Sequence, residues 1–344
     1  MFEFAMSHNL HICSLDKFIP PFLNFVRDEF PIEENQFYML GDAEKYSYEP
    51  DFQTFHHRGL KDYWLLLRLM CSADKIILHS LFSPLVLVIL ACNPYLLKKC
   101  YWVIWGGDLY SFMFPKNTLK YKLKERMRGF VIKRIGFLLT YVKGDVDLAR
   151  KHYSARGQYL ETIGYLSNVI PSNIPVSENN KKNINILVGN SADPTNNHFD
   201  ALDKLAKFKN ENIQIYAPLS YGDKDYAKKV IHYGNSLFGD KFIGITEFIP
   251  YSEYMHFLKD IDIAVFNHQR QQAMGNTINL LAMGKKVYLR ESTTQKEFFN
   301  DLAVKTFDVN NLDIFENFPM EKNSEILMAY FSLQNLKNQW ARIL

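Results

Sequence analysis

NINILVGNSADPTNNHFDALDKLAKFKNENIQIYAPL (residues 183–219) decides the fold. It opens on a short apolar strand, NINILV, that stops at Gly189-Asn190-Ser191. FDALDKLAKF follows with helical spacing, and NIQIYAPL is a second strand. A strand, a helix and a strand in immediate succession are one parallel crossover unit. The alternation continues through the helix DKDYAKKVIHYGNSLF, the strand KFIGITEF and the helix SEYMHFLKDI. Then come the strand DIAVFNH, the helix NTINLLAMG, the strand KKVYLRES and the short helix QKEFFNDL. Five strand–helix steps make a Rossmann-like domain over residues 185–319.

The same alternation stands upstream. NLHICSL, NQFYML, KIILH, YWVIW and GFLLTY are expected strands, separated by helical stretches such as DKFIPPFLNFVRDEF and KYKLKERMRGFVIKRI. This makes residues 1–165 a second Rossmann-like domain, which would take the acceptor. Between the two, residues 166–184 are rich in Ser, Asn, Pro and Lys and read as a linker. Residues 320–344 are expected to be helical and to cross back toward the first domain. The alternation makes the fold class α/β with two Rossmann-like domains; that the two face a cleft leans on the motifs that follow.

Composition narrows the function. A chain of 344 residues suits two domains, and 47% hydrophobic residues supply two cores. A net charge of +3 is too small to argue for nucleic acid. Cys13, Cys71, Cys92 and Cys100 form no CxxC pair and read as small buried hydrophobes in a reducing compartment. The N-terminus shows no basic segment followed by a long apolar one, so no signal peptide is expected. The most apolar stretch, residues 76–97, is interrupted by His79, Ser80, Ser83, Pro84 and Asn93. It is expected to be a buried strand and then a buried helix beginning near Pro84, not a membrane span.

In open α/β sheets ligands gather beyond the carboxyl ends of the strands. Two loops of the second domain lie there. In the first, Gly189 lets backbone approach an anion, and Asn190 and Ser191 offer donors. The second is FNHQRQQAMGNT (residues 266–277), between a buried strand and an apolar helix. A helix N-terminus at Gly275, Asn276 and Thr277 attracts phosphate. Arg270 would neutralise a diphosphate, and Gln271 and Gln272 would donate to it. An ordinary turn explains the first loop taken alone; the run of donors in the second favours a ligand. In the first domain, WVIWGGDLY (residues 102–110) ends an expected strand. Gly106 and Gly107 allow a tight turn, and Trp105 and Tyr110 would stack on a sugar. Asp108 is either a general base for an acceptor hydroxyl or a helix cap. His79 ends the neighbouring strand and would share the proton transfer or serve structure.

Two DxD patterns, Asp145-Val146-Asp147 and Asp260-Ile261-Asp262, read as structural, and no metal site is expected. Residues 116–134 carry eight basic side chains against one acid, Glu125. Lys120, Lys124, Arg126 and Arg128 are expected to contact an anionic membrane surface through this helix.

WVIWGGDLY, ILVGNSADPTNNH and NHQRQQAMGNTINLLAMGKKVYLRE, in this order, resemble glycosyltransferase family 56, as do YKLKERMRGFVIKRIG and KGDVDLARKHY. The resemblance covers roughly residues 75–307 and implies the two-domain GT-B architecture. It implies transfer of a 4-acetamido-4,6-dideoxygalactose-like sugar from a TDP-sugar to an undecaprenyl-diphosphate-linked saccharide. The place would be the cytoplasmic face of the bacterial inner membrane, with the enzyme peripheral and needing neither metal nor cofactor. Trp105, Gly106, Asp108, Gly189, Asn190, Ser191, Asn197, His198, Arg270, Gln271, Gln272, Gly275 and His79 fall on family-motif positions. The chain departs from the pattern with HSLF at residues 79–82 for HGQF, Gly107 for Ala, and Met274-Gly275-Asn276 for Ile-Gly-Thr. Many GT-B enzymes hold ribose with a Glu where this chain has Asn279, so nucleoside recognition must be met otherwise, with Glu291 as one candidate. Two other classes compete. An NAD-dependent sugar-modifying enzyme expects GxGxxG after the first strand, and NLHICSLDK has none. A non-catalytic scaffold would not need the HQRQQ run.

Overall fold

The computed structural model describes residues 9–59, 61–171, 183–316 and 321–344. The chain forms two compact units, residues 1–169 with 333–344, and residues 170–332.

The first unit runs β1 (Asn9–Ser14), α1 (Ile19–Glu29), β2 (Asn35–Leu40), β3 (Thr54–His56), α2 (Asp62–Ser72), β4 (Lys75–His79) and α3 (Pro84–Cys92). It continues with β5 (Cys100–Val103), α4 (Leu119–Arg134), β6 (Phe137–Thr140), α5 (Lys143–Tyr153) and β7 (Gln158–Glu161). The strands form one parallel seven-stranded sheet in the order β3-β2-β1-β4-β5-β6-β7. A parallel sheet is covered on both faces, so its central strands are apolar on both sides. Leu10, Ile12, Ile76, Leu78, Trp102 and Leu138 pack with Leu66, Leu87, Leu90, Val131 and Val146 from α2 to α5. On the other face His11 and His79 lie among Phe22, Phe37 and Trp340.

The second unit runs β8 (Ile184–Val188), α6 (His198–Leu205), β9 (Ile213–Pro218), α7 (Lys224–Phe238), β10 (Phe242–Ile245) and α8 (Tyr251–Asp260). It ends with β11 (Ile263–Phe266), α9 (Met274–Ala282), β12 (Lys286–Leu289), α10 (Thr294–Asp301), β13 (Phe307–Asp308) and α11 (Glu321–Tyr330). Its six parallel strands follow the order β10-β9-β8-β11-β12-β13. The last helix, α12 (Leu333–Ile343), belongs to the first unit. There Trp340 is fully buried, its Nε1 donating to the Gly164 carbonyl at 2.9 Å, and Gln339 Oε1 accepts from the Ile163 amide at 2.7 Å.

Local chemistry explains many helix starts. Ser83 Oγ accepts from the Val86 amide and Pro84 opens α3. Thr118, Asp223 and Thr293 cap α4, α7 and α10 in the same way. The expected burial of α3 holds for one side only: Val86, Leu87, Ile89 and Leu90 are buried, while Val88 is 37% exposed. Strands β3, β7 and β13 were not among the expected elements, and of the four cysteines expected to be buried only Cys13 and Cys100 are, Cys71 and Cys92 being exposed at the ends of α2 and α3. Most of the expected linker, residues 172–182, lies outside the described residues. Among the described residues no helix is long and apolar enough to cross a membrane.

Candidate functional site

In the second unit the loops after β8 and β11 leave adjacent strands at the carboxyl edge of the sheet. Gly189 has φ +68°, and a Cβ there would lie 2.4 Å from His198 Nε2, so no other residue fits. The next residues are tied to the second loop. Gln272 Nε2 donates to Asn190 Oδ1 at 3.2 Å and to Ser191 Oγ at 3.5 Å, and its Oε1 accepts from Thr195 Oγ1 at 2.9 Å. Asn196 Oδ1 is a hub, accepting from the Asn190 amide at 2.8 Å and meeting His268 Nε2 at 3.0 Å. The structure thus joins Asn190, Ser191 and Gln272 into one wall.

Helix α9 opens after Ala273, which is left-handed at φ +56° and gives no side-chain cap. Its first N–H groups therefore receive no partner from an N-cap side chain, and space beside Gly275 is open. Arg270 stands half-buried at this end, 3.7 Å from Asp193 Oδ2. Asn276 Nδ2 donates to Tyr254 Oη at 2.8 Å. The Thr277 hydroxyl is engaged inside the fold, donating to the Ala273 carbonyl and accepting from Gln295 Nε2. Gln271 is half-buried beside Arg270, with its carbonyl accepting from Arg270 Nη1. Glu291 is exposed after β12, 3.5 Å from Lys296 Nζ.

Two buried imidazoles support this wall. His198 Nδ1 meets Tyr226 Oη at 3.2 Å, while its Nε2 has no hydrogen-bond partner. His268 Nδ1 likewise has no partner of good geometry, with only a weak interaction with the Gln272 main chain. Burial pushes His198 down to about 4 and His268 down to about 3, so both rings are neutral at pH 7.

In the first unit the WGGD loop follows β5, next to β4. Gly106 turns the chain at φ +81°, and Gly107 is exposed against the Phe82 ring. Asp108 is fully buried. Its Oδ2 accepts from the Leu81 amide at 2.9 Å and Trp102 Nε1 at 2.8 Å; its Oδ1 accepts from the amides of Trp105 at 3.2 Å and Leu109 at 3.1 Å. A carboxylate offers about four lone-pair sites, and all are taken. Burial raises its pKa and these donors oppose the rise. This geometry gives Asp108 the work of clamping two loops together, and leaves no lone pair to take a substrate proton. Tyr110, expected to stack on a sugar, is also buried, its hydroxyl donating to Asp145 at 2.6 Å. Asp145 is thereby structural, as is Asp262, which accepts from the Asn185 amide. His79 is fully buried, and burial holds it well below the usual imidazole range. Trp105 remains half-exposed.

The basic helix α4 divides in two. Residues 113–120 are all exposed, as are Lys122, Leu123 and Arg126. Lys124 is half-buried, and burial lowers its pKa. Arg128 is buried, paired with Glu125 at 2.7 Å and donating to Ser111 Oγ at 2.6 Å, so it is no surface contact. Among the described residues no cluster of three or more His, Cys, Asp or Glu could hold a metal ion.

The sequence alone did not point to His11, Asn35, Asn196 and Tyr165 as members of these sites. The one available signal for the first two was a polar residue inside an apolar strand.

A family model described as 4-alpha-L-fucosyltransferase, glycosyl transferase group 56, matches residues 27–341. Among solved structures, a glycosyltransferase from Rickettsia africae is similar at TM-score 0.67 and 12% identity, over 98% of this chain and 97% of that one. Anabaena Alr3699/HepE, solved in complex with UDP, is similar at TM-score 0.67 and 11% identity, over 97% and 98%. WaaG, a glycosyltransferase involved in lipopolysaccharide biosynthesis, is similar at TM-score 0.55 and 14% identity, over 97% and 93%. At these identities the likeness concerns the fold, that of GT-B enzymes with two parallel-sheet α/β domains.

Proposed function

Because the chain belongs to glycosyltransferase family 56, we propose that it transfers a 4-acetamido-4,6-dideoxygalactose-like sugar from a TDP-sugar to an undecaprenyl-diphosphate-linked saccharide. The product would serve bacterial surface polysaccharide assembly. The observation that carries the donor half is the wall at β8 and β11. Gly189 has no room for a side chain, Gln272 fixes Asn190 and Ser191, and Arg270 stands at the uncapped start of α9. Such a wall suits a diphosphate. The family's description names an α-L-fucosyl sugar, which is 6-deoxy-L-galactose; the proposed sugar is likewise a 6-deoxygalactose but of the D series, with an acetamido group at C4.

In the reaction the acceptor hydroxyl oxygen bonds to C1 of the sugar, the C1–O bond to the diphosphate breaks, and the hydroxyl proton leaves to water or to the departing diphosphate. Negative charge then grows on the leaving phosphate. Arg270 and the first N–H groups of α9 meet that charge, with Gln271 and Asn276 at the same helix end. This chemistry needs no metal or cofactor, since the protein supplies the positive charge. Glu291 would accept from the ribose hydroxyls. Trp105, Gly106 and Gly107 form the acceptor loop, and Asp108 holds it in shape.

The enzyme would sit as a peripheral protein on the cytoplasmic face of the inner membrane. Leu119 is 84% and Leu123 58% exposed, Lys120 and Arg126 reach solvent beside them, and Arg128 neutralises the single acid of the helix. Two measurements test the proposal. TDP should raise the thermal midpoint more than UDP or GDP, and no rise with any of them sinks the donor site. Co-sedimentation with phosphatidylglycerol vesicles should fall for Lys120→Glu with Arg126→Glu; equal binding removes the membrane contact.

A further inference from the structure

Behind the WGGD loop a line of buried polar groups crosses the first unit. Trp105 Nε1 lies 2.7 Å from Tyr165 Oη, which lies 2.7 Å from His79 Nδ1. His79 Nε2 lies 3.1 Å from His11 Nδ1, and His11 Nε2 lies 3.3 Å from Asn35 Oδ1. Asn35 Nδ2 donates to the Pro31 carbonyl at 2.9 Å, which fixes its amide with Oδ1 toward the histidine.

Only one arrangement of hydrogens satisfies this line. An indole N–H can only donate, and the Asn35 oxygen can only accept. Tyr165 Oη therefore accepts from Trp105 and donates to His79 Nδ1. His79 then donates through Nε2 to His11 Nδ1, and His11 donates through Nε2 to Asn35. Reversing any bond leaves two acceptors or two donors face to face. Both imidazoles must be neutral, and burial keeps them so.

The surroundings are apolar. His11 stacks on Phe37 at 4.5 Å, and Phe22 and Trp340 close around His79. A fully satisfied buried polar network rigidifies the side chains that form it into one geometry. The one half-exposed end of this line is Trp105. Phe18, Phe82 and Tyr165 meet its ring at steep angles of 89°, 67° and 80°. Among the described residues no aromatic ring is stacked flat on the indole.

We infer that Tyr165 is a positioning residue for the acceptor, holding the Trp105 indole so that a saccharide ring can lie against it. The inference rests on Trp105 being an acceptor contact, as proposed above. Its test has an arm that needs no substrate. With indole-¹⁵N tryptophan, the full chain gives signals from Trp64, Trp102, Trp105 and Trp340, and loss of one in Trp105→Phe assigns Trp105. In Tyr165→Phe the Trp105 N–H should exchange with water at least about tenfold faster, because its buried acceptor is gone. The Trp102 and Trp340 signals report that the unit is still folded. Unchanged exchange overturns the relay.

The second arm uses a TDP-hexose donor and an undecaprenyl-diphosphate-linked saccharide. Tyr165→Phe should raise the acceptor KM about tenfold and leave the donor KM in place. The same change placed in Trp105→Phe should add nothing further, since Tyr165 acts through Trp105. Additive losses, or an unchanged acceptor KM, overturn the inference even where the exchange arm succeeds. Should Tyr165→Phe fail to fold, Trp105→Phe alone decides: an unchanged acceptor KM removes the contact that Tyr165 is inferred to position. A wild-type enzyme that transfers nothing to this acceptor defeats the proposed function instead, while the exchange arm still reads the relay.

Discussion

Each unit keeps two buried, neutral imidazoles beside its sheet, and the two pairs are finished differently. In the first unit every ring nitrogen of His11 and His79 has a partner. In the second, His198 Nε2 and His268 Nδ1 have none of good geometry. The first pair closes a network whose job is to hold a loop still. The second lies behind loops whose donors remain open at the start of α9. A buried unsatisfied nitrogen costs on the order of 1–3 kcal/mol. The second wall bears two such nitrogens, and the first unit bears others on arginine, at Nε of Arg27 and of Arg128.

Substitutions can break this contrast, and the largest effect belongs to the open side. Arg270→Ala should lower transfer at least about 100-fold, the scale on which one transition-state donor acts. Its unfolding midpoint should stay near that of the wild type; unimpaired turnover would remove Arg270 from the diphosphate. On the closed side Asp108→Asn puts an amide NH₂ against backbone N–H groups that now find a carboxylate. About 3 kcal/mol of stability should be lost, read by denaturant unfolding. If stability holds while turnover collapses, Asp108 is a base after all.

A milder probe is pH. His11 and His198 are each pushed down from 6.5 to about 4. The unfolded chain binds their protons first as pH falls. Their contribution is therefore complete above about pH 6.5 and is lost on the way to pH 4, by at most about 1.4 kcal/mol per pH unit for each ring. A denaturation midpoint that stays flat between pH 6.5 and 4.5 would contradict the buried, neutral state. The smallest effect is expected for Glu291→Gln, since Glu291 is exposed and already beside Lys296. It should weaken TDP binding about threefold by calorimetry, in line with one solvent-screened polar contact. A change beyond tenfold would make Glu291 a principal nucleoside contact.

Much of the architecture was legible in the sequence because parallel sheets write long apolar strands between amphipathic helices. The strands that escaped are short edge strands. Gln158–Glu161 is half-exposed along its length, and Phe307–Asp308 has two residues. Neither length nor apolar alternation marks such segments. For the site, the VGNS and RQQ loops were visible because each puts donors directly after an apolar strand. Their linkage through Gln272 and Asn196 depends on β8 lying beside β11, which spacing cannot reveal. The role of Asp108 depended on partners at Leu81 and Trp102, and the burial of Tyr110 and Arg128 on neighbours at Asp145 and Glu125. Tyr165 fell just before the expected linker and carries no motif. It meets His79 across 86 residues of chain.

The return of α12 sets an order of events during synthesis. Residues 170–332 are all synthesised before the helix that completes the first unit. Until Trp340 arrives, Phe22 and His79 have an open side where its ring will sit. The first unit therefore cannot finish folding until the whole of the second has been made. A nonsense codon a few positions before Trp340 would spare the second unit and strand the first as an exposed, aggregation-prone intermediate.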